Sequence, residues 1–210
     1  MVTGHIYHVC SRSIAGYRIF NNDSEYLRMR ELIEYYQIEN PAVSFSRFKE
    51  RDMQHLERSD RDARKLVQII SYSPMPTHIH LALKQLIDNG ISIFMRKILD
   101  SYSRYFNLKH RRKGPLWEGR FKRVHVGTDE QLLHLTRYIH LNAVTDRLVD
   151  RPEDWKWSSY NEYLCNVDPE DRICEYDDVL DINPASYKQF VEDRISYQRE
   201  LKKIKGLLLD

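Results

Sequence analysis

Cysteine is scarce in this sequence. The three cysteines, Cys10, Cys165 and Cys174, lie far apart, are odd in number and form no Cys-x-x-Cys pair. Disulfide frameworks and thiolate zinc sites depend on paired or closely spaced cysteines. The sequence therefore predicts neither, and the reducing cytoplasm is the expected compartment.

Long apolar runs are also missing. No segment approaches the roughly 18 consecutive apolar residues of a membrane-spanning helix. The first residues, MVTGHIYHVC, contain neither a cationic start nor a long apolar stretch, as a secretion signal would. We expect a protein that is neither inserted in a membrane nor exported.

Neither sign of charge dominates the chain as a whole. Lys and Arg number 33 against 31 Asp and Glu, which leaves a net charge of +2 and names no partner. The distribution is more informative, because residues 104 to 123 contain a single acid, Glu118, among many cations. Such a patch neutralises phosphates and predicts contact with nucleic acid. The cations are Arg104, Lys109, Arg111, Arg112, Lys113, Arg120, Lys122 and Arg123.

What the sequence does contain is enough for one folded domain with additions, because 41% of its 210 residues are hydrophobic. Alternating apolar residues predict strands at 5–11 and 119–126, and two short apolar runs separated by a turn with two prolines predict strands at 66–73 and 78–84. Apolar residues at helical spacing predict helices at 23–40, 89–106 and 129–149. This order is the βαββαβ pattern of a ferredoxin-like (RRM-like) α+β domain with an antiparallel sheet and one extra helix at its end.

Two further segments interrupt or extend this pattern. Residues 42–62 are rich in charge and weakly periodic, so we interpret them as an insertion with one or two helical turns. Arg151 and Pro152 mark the other boundary. We expect a main domain at 1–150 and a C-terminal extension at 151–210 that packs on it or extends its binding surface.

Two histidines give the first chemical signal. His78 and His80 are two residues apart on a predicted strand, so their imidazoles point to the same face and are able to chelate a divalent ion. Most His-x-His pairs have no such role. The metal hypothesis therefore needs support from a second motif.

That support comes from the last helix of the domain. Tyr138 and Asn142 are four residues apart, so the phenol and the amide lie on one helix face. The ordinary interpretation is a core aromatic beside a surface amide. Neither residue would be singled out without the histidine pair.

Three ordered motifs resemble one known family. They are the His-hydrophobic-His motif in 75–80, Trp-Glu-Gly-Arg-Phe at 117–121 and Arg-Tyr-Ile-His-Leu-Asn at 137–142. Together they resemble the single-tyrosine members of the HUH superfamily, namely small insertion-sequence transposases and REP-associated tyrosine transposases. The resemblance covers about residues 5–160, including Trp-Lys-Trp-Ser-Ser-Tyr at 155–160.

The resemblance implies an enzyme that cleaves and rejoins single-stranded DNA at hairpin or palindromic repeats. Tyr138 would be the nucleophile and form a 5′-phosphotyrosine link. His78 and His80 would hold Mg²⁺ or Mn²⁺, with Asn142 as a third ligand and His140 nearby. Relatives act as dimers or as monomers, so a homodimer is one expected arrangement. Such an enzyme would be cytoplasmic and associated with the nucleoid.

We expect the basic segment to bind the DNA. The predicted contacts are Arg111, Arg112, Lys113, Trp117, Arg120, Lys122 and Arg123. Tyr102, Tyr105, Phe106 and Phe121 flank the segment and, with Trp117, offer stacking partners for unpaired bases. Arg120 has an alternative role, a structural ion pair with Glu118. His8 and His125 are expected to be structural.

Two other functions stay open at this point. An RRM-like module would hold RNA or single-stranded DNA without cutting it, because the fold alone does not define an enzyme. A metal-dependent hydrolase would cut without a covalent adduct, with Tyr138 as a packing residue.

The chain also departs from the family after Asn142, where Ala143 replaces a frequent Pro.

Overall fold

The computed structural model describes residues 1–41, 43–50 and 64–200. Four strands and six helices are connected by short 3-10 turns. The strands are β1 (Ile6–Arg12), β2 (Val67–Met75), β3 (His78–Gln85) and β4 (Lys122–Val126). The helices are α1 (Asp23–Tyr35), α2 (Phe45–Glu50), α3 (Gly90–Lys109), α4 (Asp129–Thr145), α5 (Tyr160–Tyr163) and α6 (Pro184–Glu192).

The four strands form one antiparallel sheet in the order β2, β3, β1, β4. The connection through α1 joins β1 to β2, and the connection through α3 joins β3 to β4. Each therefore passes over one intervening strand. The predicted α+β class with an antiparallel sheet and helical crossovers is confirmed, and the extra helix after the last strand is α4.

Helices cover both faces of the β2 and β3 half of the sheet. All residues of β2 are buried, as are nearly all of β3, which requires cover from both sides. Helices α1 and α3 pack together and contact this half, and α4 also packs on β2 and β3. Strand β4 is exposed along most of its length. The half of the sheet formed by β2 and β3 is therefore covered on both faces, whereas β4 is open to solvent.

Two boundaries differ from the predicted ones. Helix α1 ends at Tyr35 rather than near Asn40, because Ile38 pairs with Lys65 in an isolated bridge that replaces the last helical turn. Strand β2 continues through Pro74, which an edge strand tolerates because one side of its backbone has no partner strand.

The charged insertion is described in part. Residues 43–50 contain α2, whose Phe45 and Phe48 are buried against Tyr35. The remainder of the insertion lies outside the described residues. Within the described part of the chain, no helix has both the length and the apolarity to cross a membrane.

A buried carboxylate at the start of α1 fixes the end of α3. Glu25 is fully buried and accepts hydrogen bonds from the Asn21 amide N–H at 2.7 Å, His110 at 2.6 Å and Lys109 at 3.0 Å. Burial alone would raise the pKa of Glu25, but these hydrogen bonds outweigh it and lower the pKa. The basic loop that follows Lys109 is thereby tied to α1.

We expect Glu25→Gln to lower the free energy of unfolding by about 1–3 kcal/mol at pH 7, because the amide cannot satisfy the same donors. Lys109 and His110 are one-third exposed, so solvent screening favours the lower end of this range. The lowered folded-state pKa means that the carboxylate stabilises the fold above the unfolded pKa of about 4.3 and loses this effect as pH falls.

Urea unfolding at pH 7 and pH 3.5 checks this expectation. The difference in the free energy of unfolding between the wild type and Glu25→Gln should be smaller at pH 3.5. Glu31→Gln is the matched control, since Glu31 lies on the same helix and pairs with the half-exposed Lys49. Equal losses for the two variants at pH 7 would contradict the role of Glu25.

Candidate functional site

The predicted histidine pair lies at the beginning of β3. The ring centroids of His78 and His80 are 4.8 Å apart and the rings are nearly perpendicular. Each Nδ1 is engaged, that of His78 with the Thr77 hydroxyl at 3.0 Å and that of His80 with His8 Nε2 at 3.0 Å. The hydrogen bonds fix the orientation of both rings and leave each Nε2 as the remaining ring nitrogen.

His8 joins the pair from the neighbouring strand. Antiparallel register places Cys10 opposite His80 and Arg12 opposite His78, so alternate residues of β1 share the face of the histidine pair. The His8 ring stacks on the His80 ring with centroids 5.2 Å apart. His8 was expected to be structural, and it is part of the histidine cluster.

Helix α4 places Tyr138 over this cluster. The edge of the Tyr138 ring meets His80 at 5.5 Å and His8 at 5.9 Å between centroids. The Tyr138 side chain remains 40% exposed, so its phenol is accessible to a large substrate. The structure thus brings the two predicted motifs together within one chain.

Burial and neighbouring charges shape the protonation of these groups. Burial, followed by repulsion from His78, His8 and Arg12, lowers the pKa of His80 to about 2. Burial also lowers the pKa of His8 and raises that of Tyr138, while the Arg12 charge acts on Tyr138 in the opposite direction. At neutral pH the cluster holds a neutral His80 and a protonated phenol.

Asn142 lies one turn beyond Tyr138 on the same face of α4. Its side chain is 8% exposed, and its amide nitrogen has no hydrogen-bond partner within the described residues. The oxygen and nitrogen of a side-chain amide are assigned from their hydrogen-bond partners. Because the atom at this position has no partner, it is equally well assigned as the oxygen. A cation bound there would satisfy it.

The donor set present suits a divalent ion of the hard or borderline kind. Two imidazoles with engaged Nδ1 atoms have the arrangement that metal-ligating histidines commonly show. An amide oxygen suits Mg²⁺ or Mn²⁺. No cluster of three or more His, Cys, Asp or Glu residues in the described ranges could hold a metal.

His140 is excluded from the site by its surroundings. It is completely buried between the Tyr187 hydroxyl at 2.7 Å from Nδ1 and the Ser159 hydroxyl at 2.8 Å from Nε2. Burial lowers the pKa of His140 to about 3, so it remains neutral. The imidazole therefore connects α4 to α6 and to the segment before α5.

This connection continues into the sheet. Ser159 accepts a hydrogen bond from the Tyr72 backbone N–H at 3.0 Å, and Tyr72 donates its hydroxyl to Glu162 at 2.6 Å. Glu162 also accepts from the backbone N–H groups of Ile173 and Cys174. The helix that carries Tyr138 is thus fastened to β2 and to the C-terminal segment by buried polar groups.

The predicted DNA contacts separate into two sets. Arg112 donates to Asn107, Gly114 and Pro115, so its guanidinium holds the basic loop in shape. Trp117 donates its indole N–H to the Leu99 carbonyl and is partly buried. Tyr102 and Phe106 are fully buried, so the expectation that they stack on bases is wrong.

The remaining predicted cations are exposed, and they do not share one surface. Lys122 is opposite Cys10 in the sheet, and Arg123 is opposite Val9 and so faces the other side. Arg111 and Lys113 belong to the loop after α3. No ion pair joins Arg120 to Glu118 within the described part of the chain, so the alternative structural role of Arg120 is not realised there.

Comparison with known proteins finds one matching family and similar solved structures. The family model described as IS200-like transposase matches residues 46–142. A REP-associated tyrosine transposase solved in complex with a REP hairpin superposes with a TM-score of 0.55 at 18% identity, over 87% of this chain and 92% of that chain. A Deinococcus radiodurans R1 protein assigned provisionally as a transposase gives a TM-score of 0.37 at 14% identity, over 66% and 91% of the chains.

No curated protein sequence matches the chain significantly. The family match covers residues 46–142 and relates that part of the chain to DNA transposases. The expected resemblance to single-tyrosine transposases is confirmed by this match. The structural likeness to the REP-associated enzyme independently supports the fold.

His8 and Arg12 were missed as candidate site residues by sequence reasoning. Their alternation with Tyr7, Val9 and Ser11 places them on one face of a strand. Which strand lies beside them depends on sheet order and register, and neither is visible in a local pattern. Knowledge that β1 pairs with β3 would have been a sufficient signal.

We expect His140→Phe to lower the free energy of unfolding by about 1–3 kcal/mol, because two buried hydroxyls, those of Tyr187 and Ser159, each lose one partner. The exposed His134→Phe on the same helix should change it by less than about 0.5 kcal/mol. Urea denaturation of the two variants measures the difference. Equal stabilities would mean that the polar connection does not hold α4.

Proposed function

We propose that this protein cleaves and rejoins single-stranded DNA through a covalent link between Tyr138 and a 5′-phosphate. The observation that supports it most is the position of the Tyr138 ring, edge-on to His80 at 5.5 Å and to His8 at 5.9 Å. The phenol is accessible, and His80 and Tyr138 lie within residues 46–142, which match the IS200-like transposase family. A pure binding module has no need of a phenol over a histidine pair.

His78 and His80 would hold Mg²⁺ or Mn²⁺ through their Nε2 atoms, and Asn142 would add an amide oxygen. Such an ion supplies Lewis-acid polarisation of a phosphoryl oxygen when bound. Metal binding through His80 Nε2 requires the tautomer in which His80 Nδ1 carries the proton, and His8 Nε2, 3.0 Å away, would accept that proton in a hydrogen bond. A neutral His80 is the form that binds a cation.

The covalent step conserves the energy of the phosphodiester. The Tyr138 hydroxyl gives up its proton and forms a bond to phosphorus, while the bond from phosphorus to the 3′-oxygen breaks. The leaving oxygen takes up a proton and becomes a 3′-hydroxyl. Attack by a 3′-hydroxyl on the tyrosine-linked phosphate reverses the exchange, joins DNA ends and frees Tyr138, so no ATP is needed.

The electrostatics of the free protein oppose this attack until the substrate is in place. Burial raises the pKa of Tyr138, and a protonated phenol is a weak nucleophile. Arg12 opposes this effect and lies opposite His78 in the sheet. A scissile phosphate beside Arg12 would meet a positive charge.

The substrate we propose is single-stranded DNA beside a hairpin or palindromic repeat. The REP-associated relative was solved with a REP hairpin bound, and its fold is similar over most of both chains. The exposed cations Arg111, Lys113 and Arg123 provide phosphate contacts on the open half of the sheet and on the basic loop.

The site acts in cis in this proposal. Tyr138 contacts histidines of its own chain, and the buried polar groups around His140 fasten α4 in this position. A dimer that exchanges tyrosine helices would have to break them. A homodimer that keeps each site intact remains compatible with the geometry.

The test uses labelled single-stranded DNA with hairpins of varied sequence, incubated with Mn²⁺ or Mg²⁺ and analysed on a denaturing gel. We expect a band of DNA attached to protein that is lost with Tyr138→Phe and with EDTA, and strongly reduced with His80→Ala or His78→Ala. Tyr197→Phe, at an exposed tyrosine remote in sequence, should form the wild-type amount.

Cleavage without an adduct would replace the proposal with hydrolysis by water. Tight binding without cleavage across a broad set of hairpins would favour a binding module. An adduct that persists in Tyr138→Phe would assign the nucleophile to another residue.

A further inference from the structure

A cavity of about 390 Å³ opens beside the histidine cluster. Its walls are the end of β1 and the segment that leads into β4. The backbone of this segment pairs with β1 beyond the strand, with a bridge between Ser13 and Trp117 and a hydrogen bond from Glu118 N–H to the Arg12 carbonyl at 2.9 Å. The lining residues are Cys10, Arg12, Glu118, Gly119, Arg120 and Lys122.

The charged side chains around this cavity have no partner side chain within the described residues. Arg12, Arg120, Lys122 and Glu118 are all exposed, and none of them forms a side-chain ion pair or hydrogen bond within the described residues. Four free charges around one concave surface therefore indicate a ligand rather than a structural network.

The charges also restrict the chemistry of that ligand. Three cations repel a metal ion and attract a phosphate, which a guanidinium can bind through two parallel hydrogen bonds. The carboxylate of Glu118 repels a bare anion and accepts hydrogen bonds from a donor group. A ligand that combines an anionic part with an amino donor satisfies both, and a nucleotide with an exocyclic amino group is such a ligand.

The location relates the cavity to the reacting phosphate. Cys10 and Arg12 line the cavity, and in the sheet they lie directly opposite His80 and His78. Opposed residues of antiparallel strands have Cα atoms about 4.5–5.5 Å apart. A nucleotide in the cavity would consequently be a close neighbour of any phosphate held at the histidine pair.

We propose that this cavity is a subsite for one unpaired nucleotide adjacent to the scissile phosphate, an inference that rests on the proposed function. Arg12, Arg120 and Lys122 hold its phosphate, and Glu118 accepts a hydrogen bond from the amino group of its base. Cytosine, adenine and guanine carry this amino group, whereas thymine offers a carboxylate only its N3–H, which lies between two carbonyl oxygens that repel the carboxylate. The subsite thus disfavours thymine next to the cleavage position.

Binding in EDTA tests the subsite separately from cleavage. Fluorescein-labelled dC12 and dT12 are the probes, because both are pyrimidine strands and they differ in the amino group. We expect wild-type protein to bind dC12 about 3–10-fold more tightly than dT12, at the lower end of the discrimination that a base contact provides. With Glu118→Ala the affinity for both strands rises, since a negative charge is removed, and their ratio falls to about one.

Loss of one of the three cations that line the cavity should change the affinity and its salt dependence without changing the preference for a base. Arg12→Ala, Arg120→Ala and Lys122→Ala should each weaken both strands about 3–10-fold and reduce the slope of log affinity against log salt by about 0.7, as expected for one lost phosphate contact with a single strand. Arg64→Ala is the control. Arg64 is an exposed cation next to the start of β2, at the opposite end of the sheet from Arg12, and should leave affinity and slope unchanged.

The two proposals fail in different ways. The subsite would be overturned if all four cavity variants kept the affinity, the dC12 to dT12 ratio and the salt slope of the wild type. This outcome does not depend on whether the Tyr138 adduct forms. Weakened binding in the three cation variants, together with no covalent adduct in the wild-type protein, would keep the cavity as a nucleotide site and overturn the nuclease. A dC12 to dT12 ratio of one in the wild type would overturn the role of Glu118.

Discussion

The antiparallel pairing of β1 with β3 in a single register is the constraint on which the rest of the site depends. It sets His80 beside Cys10 and His78 beside Arg12, and it brings His8 within 3.0 Å of His80. A slip of one residue would turn the whole set of β1 side chains to the opposite face. The large apolar residues Tyr7 and Val9 prevent this slip, because they are buried in the core on that face.

The second constraint is the anchoring of α4. A tyrosine on a helix surface would be mobile relative to the sheet if the helix were held by apolar packing alone. Here the buried His140 bonds to Tyr187 and Ser159, and Ser159 bonds to Tyr72 of β2. The segment after residue 150 therefore contributes directly to the placement of Tyr138. The proposed division at residues 150 and 151 is crossed by these contacts.

Sequence patterns predicted the parts of the site that depend on one element at a time. His78 and His80 follow from strand periodicity, and Tyr138 and Asn142 follow from helix periodicity, and the structure places the two pairs on facing elements. The order of strands and helices was equally accessible, because each element has a strong local pattern. The role of each residue in catalysis stays a proposal.

Features that depend on contacts between segments distant in the sequence could not be predicted from local sequence patterns. Arg12 and Glu118 are more than a hundred residues apart and meet because residues 116–118 pair with 12–14. Tyr102 and Phe106 flank the basic loop in sequence, yet the apolar face of α3 turns them into the core. The guanidinium of Arg112 donates its hydrogen bonds to Asn107 and Pro115, close to it in sequence. A pattern of charges in the sequence does not reveal these hydrogen bonds.

The central claim is that one chain contains the complete reaction site, and mixing two inactive variants tests it most directly. Tyr138→Phe retains the histidine pair, and His80→Ala retains the tyrosine. The account predicts that their equimolar mixture forms no more covalent DNA adduct than the two variants give separately, while wild-type protein forms it readily. Recovery of a substantial share of the wild-type adduct in the mixture would mean that the tyrosine serves a partner's histidines, which would contradict the account.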